Sequence, residues 1–177
     1  MQGGAGVEPL TDRRHPVDET TRRDRTCFFT GHRDIPREQY PEVQQKIEQT
    51  TERLIAQGVL YFGVGGALGF DTLAALTVLK LRRQYPEIRL VLVLPCKDQA
   101  FGWPGEDRAR FELIAEQADR VVYTSEKYYN GCMYKRNRHM AERSGWCICY
   151  LNRATGGTAY TVNYARSIGV RILNLAE

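Results

Sequence analysis

The chain has 177 residues, 42% of them hydrophobic, and a formal net charge of +4 at pH 7. This length and apolar content suit one globular domain with a sizeable core, and no run approaches the roughly 18 apolar residues of a membrane-spanning helix. No repeat with a period of about 20 to 50 residues indicates a solenoid, and the amino terminus lacks the apolar core of a secretion signal, so we expect a cytoplasmic protein without a membrane partner.

Residues 1–25 have almost no large apolar side chains and no hydrophobic period. Such a segment buries too little surface to offset the entropy lost on ordering, so we expect a disordered extension before one folded domain at 26–177. Its five arginines are matched by five acids, which leaves the excess charge to the rest of the chain. Between Lys127 and Arg143, five basic residues and one acid give a local charge of +4. This focused field favours a small anionic ligand over a long nucleic-acid track.

From Thr26 onward the chain alternates short apolar segments with amphipathic ones. β-branched and aromatic residues predict six strands, at 26–31, 59–64, 88–95, 119–125, 146–151 and 170–175. Helical spacing and helix-end signals predict five helices between them, at 40–58, 69–84, 105–118, 129–145 and 156–169. Strict alternation requires parallel pairing, because crossover helices return the chain to the same edge of the sheet. We therefore predict a three-layer, Rossmann-like, doubly wound α/β fold, with a mostly parallel sheet and helices on both faces.

Parallel α/β sheets bind ligands at the carboxyl ends of their strands, and anions bind where helix N-termini present free N–H groups. Polar or glycine-rich sequences follow four predicted strands: TGHR (30–33), GVGGALGFD (63–71), PCKDQAFGWPGED (95–107) and NRATGGTAYT (152–161). Each pattern is weak alone, but their common position at one edge of the sheet predicts a shared ligand site.

The glycine-rich turn fits neither common nucleotide motif. A dinucleotide fingerprint starting at Gly63 needs its third glycine where Leu68 stands, and no strand ends in the acid expected about 20 residues further on. No lysine follows the glycines at the position that a Walker A loop requires. Gly65 and Gly66 permit a tight turn and the close approach of a ligand, although a turn without a ligand explains them too.

The cysteines give no sign of a metal site. The five are odd in number and form no C-x-x-C pair, so we expect no bound metal. Since the dinucleotide and Walker A motifs are missing as well, we also expect no cofactor. Cys147 and Cys149 lie two apart on a predicted strand, where they suit small reduced core residues.

Four motifs in unbroken order resemble the YpsA-like branch of the SLOG superfamily, which is named for the Smf/DprA and LOG proteins. They are TGHR (30–33), GGALGFDTLAA (65–75), KRNRHM (135–140) and GGTAYTVNYA (156–165), and the likeness spans residues 26–175. Members have a Rossmann-like fold without the dinucleotide fingerprint, and the superfamily is associated with nucleotides and nucleotide-derived ligands. The resemblance therefore implies a protein that binds a phosphate- and ribose-bearing molecule, as a sensor or as an enzyme.

Carried over by motif, the resemblance implies a pocket formed by Gly31, His32, Arg33, Gly65, Gly66, Asp71, Arg136, Asn137, Gly156, Gly157 and Thr158. The amides and hydroxyl at 156–158 suit phosphate oxygens, and the planar fork of Arg136 suits a phosphate beside Asn137. Arg136 equally suits a solvated helix face, and Asp71 a carboxylate that stabilises its helix dipole. Trp103, Tyr128 and Tyr129 are candidates for stacking on a base, although Trp103 beside a proline also suits a loop anchor.

The sequence leaves catalysis open. LOG-type phosphoribohydrolases, which release a base from a nucleoside monophosphate, resemble this chain at 156–165 but carry an acid where Thr161 stands. A threonine neither stabilises an oxocarbenium-like centre nor activates water well, so we favour a binding protein, with Asp71 and His32 as weak catalytic candidates for a hydrolase. A DprA-like single-stranded DNA binder is a third alternative, which needs a longer basic groove. The sequence is compatible with a homo-oligomer.

Overall fold

The alternating apolar and amphipathic segments form a single sheet covered by helices on both faces. The computed structural model describes residues 19–177. The strands are β1 (Thr26–Gly31), β2 (Tyr61–Val64), β3 (Arg89–Leu94), β4 (Arg120–Tyr123), β5 (Trp146–Tyr150) and β6 (Arg171–Asn174). The helices are α1 (Glu19–Asp24), α2 (Tyr40–Ala56), α3 (Phe70–Gln84), α4 (Gly105–Gln117), α5 (Cys132–Glu142) and α6 (Gly157–Ser167). Each strand pairing is parallel, so the predicted three-layer α/β architecture is confirmed.

The position of the site follows from the strand order, β4-β3-β2-β1-β5-β6. From β1 the chain builds outward to β4, and α5 then carries it back to place β5 on the other side of β1. The order of the strands therefore reverses between β1 and β5, where a crevice opens at the carboxyl ends. The register pairs Gly31 with Tyr150, so the loops that follow these two strands start side by side.

Neighbouring side chains of β1 lie on opposite faces of the sheet, because side chains alternate along a strand. Phe28 is fully buried with Met140 of α5 and Val162 of α6. Phe29 is fully buried on the other face, with its ring centroid 6.3 Å from that of Phe70 at the start of α3. Coverage on both faces explains why the central strands are continuous apolar runs without polar alternation.

The segment before β1 differs in part from the sequence prediction. Residues 1–18 of the predicted disordered extension lie outside the described residues, whereas Glu19–Asp24 forms the short helix α1. Tertiary contacts hold this helix: the Arg23 carbonyl accepts a 2.7 Å hydrogen bond from the Gly145 N–H, and Arg171 donates to Asp24 at 3.0 Å. The low apolar content of the segment gives no sign of these contacts.

The five cysteines lie in the core of the protein. All five cysteines are buried and free, and burial raises the pKa of the Cys147 thiol well above its usual range, so it is a weak nucleophile. Over residues 19–177, no helix has the length and apolar content to cross a bilayer. The same part of the chain has no cluster of His, Cys, Asp and Glu placed to hold a metal ion.

Candidate functional site

A cavity of about 380 Å³ opens where the strand order reverses. Its walls come from the loops after β1 and β5, the start of α3, one side of α5 and the first turn of α6. The volume falls within the range of small-molecule sites, roughly 300–1,000 Å³. Nine of the eleven pocket residues expected from the sequence line it: Gly31, His32, Arg33, Asp71, Arg136, Asn137, Gly156, Gly157 and Thr158.

The first turn of α6 offers backbone donors to the cavity. Gly156 is the N-cap, α6 begins at Gly157, and no side chain caps the first N–H groups of the helix. Gly156 has a φ of 102°, a left-handed value that favours glycine. A Cβ at either glycine would have no atom within 4 Å, so the approach to these amides is open. Aligned N–H groups at the positive end of a helix dipole suit an anion, and Thr158 adds a hydroxyl.

A surface ion pair joins the two loops at the mouth of the cavity. Arg153, in the loop after β5, donates to Asp34, in the loop after β1, at 2.6 Å. This hydrogen bond lowers the pKa of Asp34. Both side chains are more than half exposed, and ion pairs of this kind contribute little to stability, so an anionic ligand can compete for Arg153. Sequence reasoning missed both residues, although each lies within or next to a strand-end motif.

His32 lines the cavity as a neutral imidazole. Its Nε2 accepts a 3.3 Å hydrogen bond from the backbone N–H of Asn152, which places the proton of the neutral ring on Nδ1. Burial lowers the pKa of His32, the charge of Arg153 lowers it further, and Asp34 opposes both. Within residues 19–177, Nδ1 donates no hydrogen bond to the protein and is free to donate to a ligand.

The guanidinium of Arg136 is hydrogen-bonded within the protein, whereas the sequence suggested that it contacts a ligand phosphate. Its side chain is only 4% exposed, and Nη1 donates to the carbonyls of Gly65 and, at 3.3 Å, Val93. Nε donates to Oδ1 of Asn137 at 2.7 Å. A Cβ at Gly65 would lie 2.6 Å from Nη1, so this glycine makes room for the guanidinium and not for a ligand. Arg136 therefore ties α5 to the ends of β2 and β3 and brings a positive charge to the cavity.

Asp71, in the first turn of α3, is the buried acid of the cavity. Its side chain is 6% exposed, and Oδ2 accepts a 3.2 Å hydrogen bond from the Ala67 N–H. Burial raises the pKa of Asp71 to about 6, although Arg136, the Ala67 N–H and Arg33 act to lower it. Oδ1 accepts no hydrogen bond from any residue that the structure describes. Asp71 thus offers an acceptor to a ligand and titrates close to neutral pH.

Other predicted residues lie outside the cavity. Trp103 packs edge-on against Phe111 of α4, with ring centroids 5.4 Å apart, and lines a separate small cavity together with Gly66. The loop-anchor interpretation of Trp103 fits this packing, and stacking on a base does not. Tyr128 and Tyr129 are exposed and form no part of the cavity wall.

Comparisons with known proteins agree with the sequence resemblance. The family model for YpsA, described as the YspA SLOG family, matches residues 29–169. A UPF0398 protein of Halalkalibacterium halodurans is 29% identical over 142 residues, which cover 78% of this chain and 72% of that protein. A UPF0398 protein of Bacillus thuringiensis is 26% identical over 130 residues, which cover 72% of this chain and 71% of that protein.

Solved structures of DNA processing protein A share the fold. The protein from Helicobacter pylori matches with a TM-score of 0.62 and 19% identity, over 86% of this chain and 67% of that chain. The protein from Streptococcus pneumoniae matches with a TM-score of 0.59 and 17% identity, over 83% of this chain and 48% of that chain. Identities this low establish a common fold alone. Because the family model matches most of its length, this chain belongs to the YpsA family of SLOG proteins.

Proposed function

We propose that the cavity binds a nucleotide-derived ligand that carries a phosphate and a ribose. The observation that carries this proposal is the convergence of open helix amides, a buried acceptor and three arginines on one cavity at the reversal of strand order. The lining contains three arginines and two aspartates, which leave one net positive charge when both acids are ionised. A concave site with modest positive charge and a few fixed polar groups suits a small anion that also has hydroxyl groups.

The phosphate is placed at the first turn of α6. The N–H groups of Gly157 and Thr158 lie at the positive end of the helix dipole, and the Thr158 hydroxyl adds a third donor. Arg153 at the cavity mouth supplies a half-exposed guanidinium that can leave Asp34 for a phosphate oxygen. Because Arg136 is committed to backbone carbonyls, its role is to hold the site together and to contribute charge at short range.

We place the ribose beside Asp71 and His32, which line the same cavity as the first turn of α6. The free Oδ1 of Asp71 suits a ribose hydroxyl donor, and the Nδ1–H of His32 suits an oxygen acceptor. Both side chains are more than nine-tenths buried, so each gains from a partner that replaces water. The two groups therefore select a ligand that carries both donors and acceptors.

Binding without turnover is the function favoured by the first turn of α6. Thr161 occupies the place where LOG-type hydrolases carry an acid, and it is fully buried, with its hydroxyl donating to the Gly157 carbonyl at 2.8 Å. That hydroxyl is therefore committed to the helix and cannot activate water in the cavity. We infer that the protein senses or carries its ligand, and we favour this role over catalysis.

The test removes one amide and keeps the helix. Gly157 is the first residue of α6 and has no positive φ, and proline is well tolerated at this position because its missing N–H has no partner within the helix. Gly157→Pro should therefore weaken binding of AMP, ADP-ribose or NAD in calorimetric titration by about tenfold or more, the value of one hydrogen bond to a charged group. Gly157→Ala keeps the N–H and should bind like wild type. Absence of saturable binding to all three molecules by the wild-type protein would refute the proposal.

A nucleoside-monophosphate hydrolase is the second candidate, and the raised pKa of the buried Asp71 favours it. A buried carboxyl with a pKa raised to about 6 is suited to general acid or base catalysis near neutral pH. Chromatography of nucleoside monophosphates incubated with the protein would then show free base, and Asp71→Asn would abolish its release. Unchanged substrate after long incubation with wild type excludes this candidate.

Single-stranded DNA binding is a third candidate, because the Helicobacter pylori structure with the same fold is described by its single-stranded DNA binding mode. Lys135 and Arg138 are exposed on α5 and would contact a DNA backbone. Such binding weakens steeply with salt. A labelled oligonucleotide that shows no binding at low salt would exclude this candidate.

A further inference from the structure

An exposed pair of tyrosines lies between α5 and α6 where both helices begin. Tyr134 is in the first turn of α5 and Tyr160 in the first turn of α6, with ring centroids 4.8 Å apart and planes at 78°. The two residues are 45% and 39% exposed. Edge-to-face packing leaves part of each ring exposed, so the pair presents an aromatic surface to solvent.

The tyrosine pair borders the cavity. Met133 and Asn137 line the cavity wall and lie one residue before and three residues after Tyr134 on α5. On α6, Gly157 lines the cavity, and Tyr160 lies three residues further along, on the same side of the helix. The two rings therefore lie beside the wall that carries the proposed phosphate site.

Charge around the pair suits a ligand that extends out of the cavity. Arg138 lies one helical turn after Tyr134 and is exposed. Lys135, which directly follows Tyr134 in the chain, is exposed too. Glu142, at the end of α5, accepts a 2.6 Å hydrogen bond from Tyr164 of α6, so this acid already has a partner. An electron-poor base beside phosphate oxygens would find an aromatic surface and basic side chains together.

We propose that Tyr134 and Tyr160 form a stacking surface for a nucleobase, and that the ligand of the cavity is a base-bearing nucleotide and not a sugar phosphate. This inference rests on the proposed function, because the phosphate at α6 fixes where the base emerges. It gives the tyrosine pair the role that the sequence suggested for Trp103 and Tyr128. None of the four aromatic residues is part of the cavity wall itself, but Tyr134 and Tyr160 lie on the two helices that form it, close in sequence to Met133 and Gly157.

The experiment compares AMP with ribose 5-phosphate, which lacks only the base. Calorimetric titration should show that wild type binds AMP about 5- to 150-fold more tightly, the value of one stacked base. Tyr160→Ala and Tyr134→Ala should lower the affinity for AMP toward that for ribose 5-phosphate and leave the latter unchanged. Tyr160→Phe keeps the ring and should bind AMP like wild type. Tyr128→Ala is the control, because it removes an exposed tyrosine of the loop before α5 that is not part of the pair.

The outcomes separate this inference from the proposed function. Equal affinity of wild type for AMP and ribose 5-phosphate, or AMP binding unchanged in both alanine variants, overturns the stacking surface while the phosphate site stands. Failure of wild type to bind either molecule overturns both. A change of oligomeric state in the alanine variants, measured by sedimentation, with AMP affinity unaltered would identify the pair as a contact between copies and overturn the inference.

Discussion

Replacing Asp71 with asparagine should stabilise the protein at neutral pH, although it removes a proposed ligand contact. Burial raises the pKa of Asp71 from 3.8 to about 6, so the folded protein disfavours the carboxylate. One pKa unit corresponds to about 1.4 kcal/mol, and ionised Asp71 therefore lowers the free energy of unfolding by about 3 kcal/mol. Asparagine has the shape of the neutral acid and avoids this cost.

The pH dependence of the effect follows from the direction of the shift. Below pH 3.8 the carboxyl is protonated in both the folded and the unfolded state, so it does not distinguish them. As the pH rises toward 6 the unfolded chain ionises first, and wild type loses stability relative to the variant. Above about pH 7 the difference is constant, since both states are then ionised.

Urea unfolding followed by circular dichroism at pH 4, 6 and 7.5 measures this difference. The unfolding free energy of Asp71→Asn should exceed that of wild type by a small amount at pH 4 and by about 3 kcal/mol at pH 7.5. Asp34→Asn is the control of opposite sign, because its ionised form is favoured by Arg153 and the variant should be slightly less stable at neutral pH. A variant at Asp71 that is less stable than wild type at pH 7.5 would refute the reasoning, since attraction to Arg136 would then outweigh burial.

Three further substitutions test separate parts of the site. Arg136→Ala should lower the unfolding free energy by about 3–5 kcal/mol, because it strips buried carbonyls and an acid of their partner, whereas the exposed neighbour Arg138→Ala should change it by less than about 0.5 kcal/mol. Arg153→Ala should weaken AMP binding about tenfold in calorimetry with less than about 1 kcal/mol change in stability; Arg108→Ala, which removes a comparable exposed ion pair on α4, should leave AMP binding unchanged. Gly69→Ala should lower the thermal midpoint, since φ is 76° and a Cβ would strike the Arg33 backbone; an unchanged midpoint would contradict the role of this close approach.

The fold was predictable because its signals are local. Continuous apolar segments, helix-end glycines and strict alternation are each visible over a few residues, and only parallel pairing is compatible with all of them. The short helix α1 was missed, because it is held by Gly145, which donates to the Arg23 carbonyl, and by Arg171, which donates to the Asp24 side chain; both lie more than 120 residues further along the chain.

Most of the cavity was predictable for a topological reason. Residues that follow parallel strands meet at one edge of the sheet, so motifs far apart in sequence converge without any knowledge of packing. Arg153 and Asp34 were missed because their importance lies in a contact between two loops, which no single motif reveals. Thr155 also lines the cavity and was not predicted, although it directly precedes the Gly156-Gly157 pair.

Side-chain direction was the part that the sequence could not supply. A basic helix at 129–145 is consistent with arginines that face a ligand, the solvent or the sheet, and only packing shows that Arg136 is buried against strand-end carbonyls. The sequence left Trp103 open between stacking on a base and anchoring its loop, and only packing shows that it lies against Phe111. Tyr134 and Tyr160 meet across two helices that are separated by β5, so neither stood out in the linear sequence.

Amide chemical shifts during an AMP titration, measured by ¹⁵N–¹H NMR on the full chain, report on the phosphate site at the level of single N–H groups. The amides of Gly157 and Thr158 should shift saturably, and the same shifts should be absent when adenosine replaces AMP. If the chemical shifts of these two amides do not change, or if changes are confined to the loop around Trp103, the anion does not bind at the first turn of α6.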